Sequence, residues 1–216
     1  MADMPYSLEE FWAIVTTLAE DVKQCSMALE ILDNQEPIDE DMVRFWRKIC
    51  AYTIFALIEG VTYHMLHIAY VARHSRDVVF TLAEIEALES AYDFSEDRHV
   101  EPGRKDKDIE PGLTPAQMLD RIKFAFNAFA RVYYSDYIMP VNESGWSGIK
   151  LALLVKSGLA HPQSAAELEV ADEYVTEMLL STPWFMQCLI ALTQDCRDCA
   201  EQRLAIWEAA QDEPIM

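Results

Sequence analysis

Glycine, cysteine and strand-like patterns are all scarce in this chain. Only 6 of its 216 residues are glycine, and no stretch alternates apolar and polar side chains as a half-buried β-strand does. The five cysteines are odd in number and widely spread, which does not indicate the disulfide framework of a small secreted protein. The first residues lack a basic segment that leads into an apolar run, so no signal peptide is predicted. We therefore expect a compact helical protein in a reducing compartment, the cytoplasm.

Positive charge is also in short supply. The chain has 17 basic against 37 acidic residues, which gives a formal net charge of −20. A field of that sign repels nucleic acid at long range, so phosphate binding would need a locally basic cleft. RNA is therefore a disfavoured partner, although it is not excluded, and a partner protein is left open.

A long apolar run without any charge is missing as well. The segment 49–72 is rich in apolar and aromatic residues and has basic residues on both sides, but Glu59 interrupts it near the middle. A carboxylate at that depth of a bilayer costs roughly 3 kcal/mol. A central helix packed on all sides in a bundle explains the same pattern, so we expect no membrane span.

Helix signals, by contrast, are abundant. Three capping boxes mark helix starts, each with a side-chain oxygen and an acid or amide three residues later: Ser7 with Glu10, Thr81 with Glu84, and Thr114 with Gln117. Apolar residues at helical spacing predict a first helix that ends near Leu32 and a long second helix over about 39–73. A short helix is expected over 147–156, and Thr182-Pro183 is expected to begin another.

One stretch differs in kind, because residues 93–113 combine many charges with two Pro-Gly pairs. Such a composition is typical of a solvated loop. With no sign of a repeat or of a domain boundary, the chain is predicted to be one all-α domain, residues 1–216. We expect a helical bundle of about seven helices with the long second helix at its centre.

The segment from Leu153 to Pro162 carries the strongest candidate chemistry. An apolar helical run leads to Lys156, and four residues separate this permanent cation from His161, which gains or loses a proton near neutral pH. Together they have the properties of a phosphate-binding cation and a proton shuttle. The structural alternative is that Lys156 neutralises the last carbonyls of a helix and that Gly158 terminates it.

The same segment resembles the HEPN family of all-α domains, whose signature is an Arg, a polar residue, a short spacer and a His that Pro often follows. Lys156 stands in the Arg place, Ser157 in the polar place, and His161 matches. The resemblance extends loosely over 146–184 and more faintly over 44–70. It implies a homodimer in which two copies of the signature face each other, and RNA cleavage without a metal in active members.

Two functions follow from the resemblance. The first is a metal-independent endoribonuclease in which Lys156 holds phosphate and His161 transfers protons, with Glu59 able to steady a cation of the motif such as Lys156 or Arg131. The second is an interaction protein of the same fold with weakened or lost catalysis. Lys lacks the planar fork with which Arg holds a phosphate, and Ser157 reaches less far than Asn, so we favour the second. The family also implies a nucleotidyltransferase or a toxin-neutralising protein as a partner.

Metal and cofactor sites are less well supported. Cys196 and Cys199 have the spacing of half a zinc site, and His64 and His67 share a helix face, but neither pair has a second pair at a matching spacing. Buried thiols and core histidines are the preferred interpretation of both, and no cofactor or metal is predicted.

Overall fold

Six α-helices and one short 3-10 helix make up the computed structural model, which describes residues 8–73, 78, 80–96 and 113–211. The α-helices are α1 (Leu8–Asp33), α2 (Glu40–Ala72), α3 (Leu82–Glu96), α4 (Pro115–Val132), α5 (Ser144–Ala160) and α6 (Asp172–Gln211). A 3-10 turn, Ala165–Leu168, lies between α5 and α6. These ranges contain no β-strand. The prediction of an all-α bundle of about seven helices is confirmed.

Two of the predicted capping boxes begin helices in the structure. The backbone amide of Thr81 donates to Glu84 at 2.8 Å, and the amide of Glu84 donates to the Thr81 hydroxyl at 3.3 Å. Thr114 and Gln117 make the same reciprocal pair at the start of α4. The proposed box at Ser7 lies outside the described residues. The predicted charged loop begins later than expected, because α3 runs on to Glu96, and residues 97–112 lie outside the described part of the chain.

The second helix is the centre of the bundle, as the sequence predicts. It packs against each of the other five helices. Its inner face is fully buried at positions such as Ile54, Ile58, Val61 and Met65. Such a helix meets apolar neighbours over most of its circumference, which is why its sequence is apolar beyond a single stripe.

Close backbone approach fixes α5 against α6. A Cβ atom placed on Gly145 would lie 2.1 Å from the ring of Trp184, and one on Gly148 would lie 2.5 Å from the Cβ of Ser181. Since position 145 meets 184 and position 148 meets 181, the two helices run antiparallel. The two glycines therefore set how α5, with its candidate motif, sits on the bundle.

Two predicted boundaries are wrong. The helix expected over 147–156 spans Ser144–Ala160, so Gly158 does not terminate it. Pro162 ends it instead, because a proline disfavours helical geometry in the residue before it. The helix expected to restart at Thr182-Pro183 is part of the uninterrupted α6. Pro183 is exposed, so its ring displaces no core side chain, and packing on α5 outweighs its unfavourable helix propensity.

Candidate functional site

Lys156 of the candidate motif is directed towards α2. Its Nζ atom lies 4.5 Å from the centre of the Phe55 ring, and the side chain is half-buried. An ammonium over an aromatic face is attracted by the negative face of the ring. The contact therefore holds the charge of Lys156 against the side of the bundle.

His161 follows the last residue of α5. It is exposed, and its backbone amide donates to the carbonyl oxygen of Ser157 at 3.0 Å, which closes the last turn of α5. It is the C-cap of the helix, with φ −135° and ψ 60°, so helical spacing does not fix the direction of its side chain relative to Lys156. Their meeting across two copies stays a prediction.

The surroundings of this helix end are acidic. The backbone at Glu167 is the nearest neighbour of Gly158 from another element. Two arginines of α2 are engaged with carboxylates that follow the motif in the chain: Arg44 pairs with Glu169 at 2.9 Å, and Arg47 pairs with Asp172 at 3.1 Å. Incoming phosphate would have to displace these carboxylates. The locally basic cleft that RNA binding requires is therefore not formed by Arg44 and Arg47.

Glu59 is not paired with either of the two cations that the sequence suggested as its partners. It is exposed on α2, one turn after Phe55, and no ion pair of the described residues joins it to Lys156. Arg131, the other suggested partner, pairs with Glu84 at 2.6 Å. The cation close to Glu59 is Arg121 of α4. Sequence spacing does not predict that Arg121 lies close to Glu59, because their proximity depends on how α4 packs across α2.

Arg121 is half-buried, and burial lowers the pKa of its guanidinium. The nearby Glu59 carboxylate and Tyr63 phenol act in the opposite direction. Arg121 was not singled out in the sequence. Its position shows that α4 supplies a cation beside the outer face of α2.

An aromatic and histidine cluster follows Glu59 along α2. The Tyr63 ring is stacked on His67 at a centroid distance of 6.2 Å and meets His64 edge-on at 5.5 Å. Burial and the neighbouring His67 lower the pKa of His64, while Glu10 of α1 raises it. The net effect lowers the pKa of His64, which favours its neutral imidazole.

Metal binding has no geometric support in the described part of the chain. No group of three or more His, Cys, Asp or Glu side chains is arranged there to hold an ion. Burial raises the pKa of both Cys50 and Cys196 to about 12, and burial also raises the pKa of Cys188. Thiols in that state are poor ligands and poor nucleophiles. These three cysteines act as small apolar core residues.

No protein-family model, curated protein or solved structure matches this chain. Within the described residues, α2 and α6 are long and apolar enough to cross a membrane, a property that core helices of soluble bundles share. In α2 56% of the apolar window is buried inside the bundle, which is the position of a core helix.

Proposed function

We propose that this chain is a HEPN-like helical interaction protein that works as a homodimer in the cytoplasm, with catalysis weakened or lost. The orientation of Lys156 carries the proposal. An ammonium that rests on the Phe55 ring at 4.5 Å is engaged with the protein. A cation that serves phosphate has to face the cleft in which the proton donor lies.

Charge supports the same conclusion. The chain carries a net charge of −20, and Arg44 and Arg47 of α2 are paired with carboxylates that follow the motif in the chain. RNA binding gains its affinity from Lys and Arg that neutralise phosphates and release counterions. A protein partner, or a second copy, meets no such requirement.

The alternative is a metal-independent endoribonuclease. The exposure of His161 at the end of α5 favours it, because an exposed imidazole is able to face a second copy. In that function Lys156 binds phosphate after it leaves Phe55, His161 transfers protons, and Ser157 and Glu59 assist. Each of these roles requires the dimer to bring the two motifs together.

Cleavage of single-stranded RNA in the presence of a chelator separates the two functions. We expect no cleavage by the native protein. Lys156→Arg restores a bidentate fork and is the most sensitive probe of a weakened site. Lys150→Arg is the matched control, since Lys150 is an exposed lysine on the same helix.

Chelator-resistant cleavage by the native protein, if His161→Ala abolishes it, would establish the ribonuclease and remove the proposal. Cleavage by Lys156→Arg alone would show that catalysis is weakened and that the cleft is intact. Absence of cleavage in all variants is the result that our proposal expects.

A further inference from the structure

The outer face of α2 has a second apolar stripe that the bundle covers only in part. Positions 38, 42, 45, 49, 52 and 56 follow one another at alternating spacings of four and three residues. These are the residues Ile38, Met42, Phe45, Ile49, Tyr52 and Ala56, of which Ile49 packs partly against the core and the others are exposed. The five residues from Met42 to Ala56 lie along one line of α2, on the side opposite to the buried residues Ile54 and Ile58, and Ile38 stands just before the helix, which begins at Glu40. We call these six residues the outer stripe.

The outer stripe exposes a large apolar area. The exposed fractions are 56% for Ile38, 42% for Met42, 54% for Phe45 and 41% for Tyr52. Because large apolar side chains present about 200 Å² each when free, these four together expose roughly 400 Å². A patch of that size on a monomer is typical of an interaction site.

We propose that the outer stripe is the surface on which a second copy of this chain docks, with the two α2 helices antiparallel. The inference rests on the proposed function, since it identifies the homodimer surface. A standard interface buries about 800 Å² per partner, of which about 500 Å² is apolar. The outer stripe alone supplies most of that apolar area, and heptad spacing is the pattern by which one helix packs against another.

The antiparallel direction follows from which residues meet. With the twofold axis near position 47, Phe45 faces Ile49 of the second copy and Met42 faces Tyr52, while Ala56 lies level with the first residues of the partner helix. Every layer then pairs apolar with apolar, and the largest side chains do not face themselves. Glu59, the next position on the same line, falls beyond the seam.

A parallel pair is disfavoured for two physical reasons. It sets each residue opposite its own copy, so Glu59 would face Glu59 at the end of the seam, and like charges that face each other are destabilising. It also aligns the two helix dipoles side by side, with like ends together.

Net charge distinguishes a second copy from a basic partner. Two copies that each carry −20 repel one another, so salt should strengthen their association. The Lys48 side chains of both copies flank the centre of the seam, and salt screens their repulsion as well. A basic partner protein would instead bind more weakly as salt is added.

Sedimentation velocity of the full chain tests the surface. We expect the native protein at twice 24.7 kDa, more completely at 500 mM than at 50 mM salt, and Phe45→Glu at 24.7 kDa. Leu180→Glu is the matched control: it places the same charge on another exposed apolar residue, on α6, and should stay dimeric. Circular dichroism of both variants verifies that each remains folded.

Disulfide trapping tests the direction. A mixture of Met42→Cys and Tyr52→Cys proteins should oxidise to a heterodimer linked 42 to 52, whereas a parallel pair would link 52 to 52 in the Tyr52→Cys protein alone. Four of the five native cysteines are buried and cannot compete.

Three results would overturn the inference. A Phe45→Glu protein that stays dimeric moves the interface elsewhere and leaves the proposed function standing. A monomeric native protein removes the homodimer from the proposed function as well. Binding of the monomer to phosphatidylcholine vesicles, lost in Phe45→Glu, would assign the outer stripe to a membrane surface.

Discussion

The outer face of α2 has two halves that share one helical spacing and differ in what surrounds them. In the first half, the outer stripe is apolar and open. In the second half, Glu59, Tyr63 and His67 continue the same line, but two neighbouring helices lie close to it. On α1, the Cδ1 atom of Leu18 lies 2.8 Å from the position that a Cβ atom on Gly60 would take. On α4, Arg121 lies near Glu59. The second half carries polar and ionisable side chains beside neighbouring helices, and the first half carries apolar side chains that are mostly exposed.

The two halves of the outer face of α2 therefore differ in the contacts that suit them. Half-buried polar groups are tolerated where other groups of the same chain are near, as Arg121 is to Glu59 and Glu10 is to His64. Apolar groups at heptad spacing that stay about half exposed are only partly used by the single copy, and we propose that a second copy covers the rest. On that proposal the first half serves assembly and the second half serves the fold.

The largest expected effect contrasts the outer stripe with the inner face of the same helix. Ile54→Ala should lower the free energy of unfolding by about 2–5 kcal/mol, because it opens a cavity in the core. Phe45→Ser should change it by less than about 0.5 kcal/mol at the lowest protein concentration, since the side chain is exposed. Urea denaturation measures both.

Protein concentration sharpens that contrast. The urea midpoint of a dimer rises with concentration, so it should rise for the native protein and for Ile54→Ala and stay constant for Phe45→Ser. Equal destabilisation by Phe45→Ser at every concentration would mean that Phe45 stabilises the single copy, and the two halves would no longer differ.

A smaller change in the free energy of unfolding is expected for substitutions near Glu59, in the second half of the outer face of α2. Glu59→Gln should lower the free energy of unfolding by up to about 1 kcal/mol, because it removes a carboxylate that favours the half-buried charge of Arg121. Arg121→Met should lower the free energy of unfolding by less than Glu59→Gln does, since it keeps an apolar stem and removes the charge that burial disfavours. Glu86→Gln, at an exposed position of α3, is the control for loss of an acid. The reverse order of the first two variants would contradict this account.

The smallest effect concerns pH, because His64 is only half-buried. Its folded-state pKa lies below the ordinary value of 6.5, so the unfolded chain takes up this proton first as pH falls. The free energy of unfolding should therefore be unaffected by His64 well above pH 6.5 and decline as pH falls from 6.5 to the lowered folded pKa. His64→Gln should flatten that decline in thermal melts. A decline that His64→Gln leaves unchanged would assign it to other groups.

Much of the fold could be predicted from local chemistry. Thr81 with Glu84 and Thr114 with Gln117 mark helix starts because each box satisfies its own backbone amides, which needs no distant contact. The helix start predicted at Pro183 was wrong for the opposite reason. Its local preference is to begin a helix, and only packing on α5 keeps α6 continuous through it.

The candidate site was less accessible to such reasoning. Lys156, Ser157 and His161 could be named from a motif, but a motif does not specify that Lys156 lies on Phe55, a residue 101 positions away in the sequence (156 − 55). Arg121 carried no sequence signal at all, because its significance comes from Glu59 and Tyr63 on another helix.

The sequence by itself determined an acidic, all-helical chain with a central apolar helix, since composition, capping and periodicity act over a few residues. The tertiary structure decided which side of that helix is covered and which charges meet. Those outcomes depend on the packing of α1, α4 and α5 around α2, where small differences in helix position and length select one partner for each side chain over another.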